Sequence, residues 1–391
     1  MDNAVERKGN IMKLYITTAF GLESVVAKEL EKLGYVNTSV ENGRVVLHGT
    51  YEDIYRLNLN IAAGERVVIC VNTFVAKSFD DLFDNTKKSP FERYIPADAA
   101  VTVDAKSVNS TLFSLSDCQR IVKKAIVERL KYGHSVKEIP ETGALYPVTV
   151  SIHNDIAELL IDTSGDGLHK RGWRSKAGDA PLKETLANAM AALSFWRPDR
   201  PLIDPMCGSG TILIEAALRE LRIAPGHQRA FICEKWKPMT NDIMSKVRLE
   251  AAAKNRSDEI RSMLDICGYD IDRHVLETAR SNAKKAGVDD IIHFQQRDFS
   301  EFSSKKQYGC IITNPPYGER IGDKSAINKI YAAFRRSMAV LPTWSFYVLT
   351  ADEIFENEIG RKADKKRKLY NGRIKVDYYQ FYGPRPPKRT E

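Results

Sequence analysis

The stretch "PLIDPMCGSGTILIEAALREL", Pro201–Leu221, decides the fold. "PLID" reads as a short buried strand, the residues after it as a tight turn with two glycines, and "GTILIEAALREL" as a helix. A strand that passes through such a turn into a helix opens a parallel sheet, because parallel strands need a crossover to return the chain. The alternation continues downstream. "DICGYDID" and "IIHFQQRDF" read as the second and third strands, separated by the helix "RHVLETARSNAKKAG". "YGCIITNPP" is the fourth, followed by a helix from Ala326 to Leu341 and a fifth strand, "WSFYVLT". The expected fold class is α/β, a Rossmann-like sheet with helices on both faces. Its ligand belongs beyond the carboxyl ends of the strands, where strand order reverses between the first and the fourth.

The loop "DPMCGSGT" narrows the ligand. A dinucleotide fingerprint needs a third glycine where Leu213 stands, and a phosphate-binding P-loop needs a lysine that is absent. Asp204 is unfavourable beside a pyrophosphate but suits the ammonium of a methionine moiety. S-adenosylmethionine, whose amino acid and sulfonium are both cationic, is the cofactor to expect. Gly208 and Gly210 let the backbone approach it, and Thr211 can satisfy free amides at the helix start. Asp270 ends the second strand, where a carboxylate can accept ribose hydroxyls. Asp298 ends the third, near the place of the adenine amino group. Some sixty residues separate Gly208 from Asp270, against about twenty in a compact unit, so the interval must hold extra helices.

The fourth strand leaves through "TNPPYGER", Thr313–Arg320. Two prolines fix the backbone and offer carbonyls without amide donors, so this corner is a rigid row of acceptors. An exocyclic amine on a nucleobase is a poor nucleophile, because its lone pair is delocalised into the ring. The side-chain oxygen of Asn314 and the carbonyl of Pro315 can hold both of its N–H groups, and Tyr317 can stack on an extruded base.

Before Pro201 the pattern differs. "KLYITTA", "RVVLHG" and "ERVVICVNTFVA" read as strands around the helices "GLESVVAKELEKLG" and Tyr51–Asn60, a small α+β unit. A second α+β unit runs from "SFDDLFD" through "AAVTVDAKSVNS" and "SDCQRIVKKAIVERL" to "YPVTVSIHNDIAELLIDTSG", whose two strands meet at His153-Asn154-Asp155. Apolar content of 43% without an apolar run of about 18 residues argues against a transmembrane helix. The opening "MDNAVERKGN" lacks the apolar core of a signal peptide, so a cytoplasmic location is expected, with no membrane partner. The six cysteines are scattered, with no zinc spacing, and no metal is expected. Arg361 to Glu391 holds eleven Lys/Arg against three acids, as much net positive charge as the whole chain carries. Its run "RKADKKRKLYNGRIK" suits contact with a polyanion such as nucleic acid; a solvated tail is the blander alternative.

Taken together, "DPMCGSGT", "GYDID", "RDF" and "TNPPYGER" resemble the successive motifs of class I S-adenosylmethionine-dependent methyltransferases that modify exocyclic amines. "LLIDTSGDGLHKRGWR" is similar to the end of a THUMP domain and its link to such a catalytic unit. The resemblance spans the chain from about Lys13 and is nearest to the bacterial large-subunit ribosomal RNA guanine-N2 methyltransferases. It implies a ferredoxin-like domain over residues 1–74, a THUMP domain over 75–165 and a linker with the catalytic domain over 166–391. It further implies that Asp204, Cys207, Gly208, Gly210 and Thr211 surround the methionine end of the cofactor, with Asp270 and Ile271 at its ribose and Asp298 and Phe299 at its adenine. Asn314, Pro315, Pro316 and Tyr317 would hold the target base, Asn314 also bordering the cofactor. The implied partner is RNA, ribosomal RNA or a pre-ribosomal particle. The four-residue motif is shared with adenine-N6, cytosine-N4 and protein glutamine methyltransferases, so it specifies the reaction and leaves the acceptor open. Guanine N2 leads, adenine N6 follows, and a glutamine methyltransferase or a non-catalytic assembly factor trails.

Overall fold

The computed structural model describes residues 11–174, 181–256, 258–316 and 324–387. Two seven-stranded sheets divide them. The first holds β1 (Met12–Thr18), β2 (Ser39–Glu41), β3 (Arg44–Gly49), β4 (Gly64–Val75), β5 (Ala100–Val108), β6 (Leu145–His153) and β7 (Ile156–Asp162), in the order β2-β3-β1-β4-β7-β6-β5. Only the β5–β6 pair is parallel. Strand β1 shows the alternation that its sequence implied: Leu14 and Ile16 are fully buried in the main core, while Tyr15 joins a small cluster on the other face. Helices α1 (Glu23–Lys32), α2 (Tyr51–Asn60), α3 (Phe79–Lys88) and α4 (Leu115–Gly133) accompany this sheet. Thr50 with Asp53 and Ser78 with Asp81 form capping boxes that start α2 and α3. The β6–β7 hairpin turns at Asn154 and Asp155 with φ of 50° and 61°, a left-handed pair that these residue types tolerate. The two α+β units share this single sheet through the antiparallel β4–β7 pair.

The second sheet is the one expected from Pro201 onward. After α5 (Glu184–Leu193) come β8 (Leu202–Asp204), α6 (Thr211–Glu220), α7 (Asn241–Ala252), α8 (Asp258–Met263), β9 (Ile266–Asp270), α9 (Arg273–Ala286) and β10 (Ile292–Gln296). Then follow β11 (Cys310–Thr313), α10 (Lys324–Val340), β12 (Ser345–Thr350), α11 (Phe355–Ile359), β13 (Lys365–Asn371) and β14 (Ile374–Phe381). The order is β10-β9-β8-β11-β12-β14-β13, with the first five strands parallel and β14 and β13 antiparallel at one edge. Strand order reverses between β8 and β11, the first and fourth strands of the domain, as the sequence implied. The basic C-terminal run is not a solvated tail. It forms the β13–β14 hairpin, closed by a two-residue turn in which Gly372 has φ +65°.

The long interval before β9 does hold extra helices, and it grips the front sheet. Trp236, 2% exposed, stacks on Tyr146 with ring centroids 4.3 Å apart and donates from Nε1 to the Leu145 carbonyl at 3.0 Å. Nearby, the Tyr55 hydroxyl donates to Glu234 at 3.1 Å, and Arg56 pairs with Glu250 at 2.7 Å. The seam is closed from the linker by Arg171, whose guanidinium donates to the Leu168 and Ala62 carbonyls and to both oxygens of Glu215.

Candidate functional site

The site lies where β8 and β11 diverge. Glycine makes the first turn possible: Gly208 and Gly210 have φ of +53° and +81°, a region that a side chain makes costly. A Cβ on Gly210 would lie 3.0 Å from the Phe294 ring, whereas one on Gly208 would meet nothing within 4 Å and would stand in the open mouth of the turn. Gly208 donates its N–H to Asp270 Oδ2 at 2.9 Å, and Asp272 donates to Oδ1 at 3.1 Å. These bonds fix the carboxylate across two strand ends and leave each oxygen a further lone pair. Asp204 is 2% exposed, and among the described residues only the Met206 N–H, at 3.2 Å, donates to it from the backbone. Burial raises its carboxyl to about 7, opposed by the Met206 amide and reinforced by the charge of Asp270. A carboxylate in that state gains when a cation reaches it.

A cleft of ≈ 820 Å³ joins these groups. Of the residues singled out by sequence, Asp204, Cys207, Gly208, Thr211, Asp270, Ile271, Asp298, Phe299, Asn314 and Pro316 line it. Gly210 lies beneath the turn, and Pro315 is buried between the lining residues Asn314 and Pro316. Tyr317 lies outside the described residues. Two local expectations change. Thr211 does not cap its helix: Gly210 holds the cap position without a side-chain bond, and the Thr211 hydroxyl accepts from Arg174 at 3.0 Å. Asp298 lies two residues past the end of β10, exposed, with Oδ1 accepting the Ser300 N–H at 2.7 Å, so it both caps a 3-10 turn (Phe299–Glu301) and borders the cleft. Cys207 is buried, and burial raises its thiol well above the ordinary range, which makes it a packing group and no nucleophile.

At the corner of β11, Oδ1 of Asn314 is buried and has no hydrogen-bond partner among the described residues. An unpaired buried acceptor costs free energy, and the cleft is where a donor can reach it. The cleft therefore offers a cation receptor at Asp204, a two-oxygen acceptor at Asp270 and a vacant amide oxygen at Asn314. Its residues fit a ligand with an ammonium and a diol beside a donor of N–H groups.

Sequence reading missed Arg174. Its Nε donates to Glu184 at 2.6 Å and its Nη2 to the Leu182 carbonyl and the Thr211 hydroxyl, each at 3.0 Å. It thereby ties the linker to the glycine turn, and the "KRGWR" run was its only trace. Lys329 and Ile330 of α10 also line the cleft, their positions set by packing that no local motif records. Among the described residues, no group of His, Cys, Asp and Glu could hold a metal ion.

Family models match the chain along its length: an RlmL ferredoxin-like domain over residues 13–68, a THUMP domain over 76–162 and an RMKL-like methyltransferase domain over 171–380. The last covers more than half of the sequence. The chain belongs to the RMKL-like methyltransferase family. A Bacillus subtilis relative, "Putative RNA methyltransferase YpsC", is 47% identical over 380 residues, 97% of this chain and 98% of its own. A crystal structure described as a "predicted N6-adenine-specific DNA methylase" from Listeria monocytogenes is 46% identical, covers 96% of this chain and 97% of its own, and superposes with a TM-score of 0.89. Another, of SMU.472, "a putative methyltransferase complexed with SAH", is 42% identical over 96% of this chain and 99% of its own, with a TM-score of 0.91. The fold expected from the sequence, a class I methyltransferase domain behind ferredoxin-like and THUMP domains, is the fold of this family.

Proposed function

We propose that this methyltransferase acts on RNA and methylates the exocyclic N2 of a guanine in large-subunit ribosomal RNA. The vacant Oδ1 of Asn314 carries this reading, because a buried amide oxygen at the mouth of a methyltransferase cleft calls for a donor such as an aromatic amine. Adding weight to RNA as substrate are the THUMP and ferredoxin-like halves, the basic hairpin and the RNA methyltransferase name of the Bacillus relative. The methyl donor is S-adenosylmethionine, which supplies an electrophilic methyl on a sulfonium. Asp204 holds its ammonium, the carboxylate being drawn to the ionised form by the cation. Asp270 receives the ribose hydroxyls on lone pairs that Gly208 and Asp272 leave free, with Ile271 alongside; Asp298 and Phe299 border the adenine. Asn314 and the Pro315 carbonyl hold both protons of the amine, drawing its lone pair out of conjugation, and Tyr317 is assigned the stacking face. Residues 1–165 place the RNA, and residues 166–391 carry the cofactor and the chemistry.

Mass analysis of modified nucleosides in ribosomal RNA from cells with and without the protein tests the reading. One N2-methylguanosine of the large subunit should disappear. Loss of N6-methyladenosine in its place would move the acceptor to adenine, and no change in either would remove ribosomal RNA as the substrate.

A further inference from the structure

Strand β14 runs antiparallel to β12, with Thr350 opposite Asp377. Residues ahead of Asp377 therefore project past the carboxyl edge of the sheet, the edge that carries Asp204, Asp270 and Asn314. The turn Gly372-Arg373 stands over that edge and meets the front half there. A Cβ on Gly21 would lie 2.6 Å from the Lys368 carbonyl oxygen, so the loop after β1 rests on β13. Phe20, the tip of that loop, meets Tyr370 edge-to-face at 6.2 Å and 81° yet stays 51% exposed. A groove of ≈ 440 Å³ opens beside them, lined by Ala19, Phe20, Glu65, Lys183, Tyr370 and Gly372. Lys183 directly follows Leu182, which lines the cofactor cleft, so groove and cleft are neighbours along the chain.

Charge on the hairpin is divided. Lys366 is tied to Asp377 at 3.1 Å and Lys375 to Glu353 at 2.9 Å. Lys368 and Arg373 are exposed and have no ion pair among the described residues. Lysines on an edge strand often serve only to prevent strand addition. That role accounts for β13 itself but not for Phe20, which belongs to the other half of the molecule, nor for Arg373 in the turn. In the groove Lys183 is paired with Glu65 at 3.0 Å, so the unpaired cations are those of the adjoining hairpin. An open aromatic ring braced by a second ring, against a hairpin that carries unpaired cations, matches single-stranded nucleic acid: a flat base for the ring and phosphates for the cations.

We propose that this groove holds a nucleotide flanking the one that enters the cleft, its base stacked on Phe20 and its phosphates near Lys368 and Arg373. The inference rests on the reading of the protein as an RNA methyltransferase and adds a placement site that the ferredoxin-like loop and the catalytic hairpin build jointly. The full-length protein is tested with deproteinised large-subunit ribosomal RNA from cells that lack it, one batch substituted with 4-thiouridine. Photocrosslinking of the wild type should label peptides containing Phe20 or Tyr370. In single-turnover methyl transfer, Phe20→Ala should raise the RNA concentration for half-maximal rate ~10-fold, while Phe20→Trp restores it, as expected for loss and return of one stacked base. Lys368→Glu with Arg373→Glu should weaken RNA binding and flatten its salt dependence. S-adenosylhomocysteine affinity and thermal midpoint should stay unchanged in all variants. If the wild type methylates the RNA but crosslinks elsewhere, and the variants match it, the groove is no RNA site while the proposed function stands. Wild-type protein that neither methylates nor crosslinks to the RNA overturns both.

Discussion

Arg171 and Asp204 are equally buried, each 2% exposed, yet the structure treats them in opposite ways. Arg171, in the seam between the halves, has Glu215 as counter-ion and two carbonyls as further acceptors, and Glu215 also accepts from Asn188 at 3.1 Å. Asp204, in the cleft, has no cation within ion-pair distance among the described residues, and burial leaves its carboxyl at about 7. A buried charge with a full set of partners holds a structure together; one held short of partners receives a ligand. The same contrast separates Trp236, whose ring and indole N–H are both engaged across the seam, from Asn314, whose Oδ1 has no partner among the described residues.

If the seam is structural, its disruption should be costly wherever it is made. Arg171→Met strands the Glu215 charge in the core and should lower stability by about 3–5 kcal/mol, measured by denaturant unfolding. Arg171→Met combined with Glu215→Leu should recover much of that loss; a single variant as stable as the wild type would dissolve the contrast. Separating residues 166–391 from the front half is a harsher operation, because it bares Trp236.

Asn314→Ala should do the reverse. Stability and S-adenosylhomocysteine affinity should change little, while single-turnover methyl transfer falls about 10²–10³-fold, the scale for losing one positioned polar contact at a reacting centre. Methyl transfer at the wild-type rate would return the corner to a structural role.

Asp204 sharpens the contrast through pH. The free protein holds this proton up to about pH 7, and an ammonium ligand favours the ionised form. Cofactor affinity should therefore be full above pH 8 and fall by up to about tenfold per unit below pH 7, as calorimetry at several pH values would reveal. Folding linkage has the opposite sense. A carboxyl whose pKa is raised on folding favours the folded state at low pH, and that advantage is lost as pH rises from about 4 to 7. Asp204→Asn should consequently unfold at a higher temperature than the wild type at pH 8 without ligand, although it binds cofactor poorly. Equal midpoints there would mean that the carboxylate is solvated.

The smallest effect belongs to Asp270→Ala. It removes the proposed ribose acceptors, worth about 1 kcal/mol each, and releases the Gly208 amide, so cofactor affinity should fall roughly ten- to thirtyfold with the fold intact. A loss confined to methyl transfer, with unchanged S-adenosylhomocysteine binding, would move Asp270 away from the ribose.

The sequence by itself determined the parallel sheet, its switch point and a set of residues that line the cleft, because these depend on local rules. Alternating strands and helices set the topology, glycines mark the turn, and the acids stand at strand ends that periodicity locates. The hairpin "NDI" after His153 and the extra helices before β9 were legible for the same reason. Only the tertiary structure decided that the two front units share one sheet, since the β4–β7 pairing joins residues that are far apart in the chain. It alone gave Thr211 to Arg174 in place of a helix cap, turned the long interval into a clamp on Tyr146, and folded the basic end into a hairpin against Phe20. These outcomes depend on which surfaces meet after folding, and side-chain pairing across a seam has no period along the chain from which to read it.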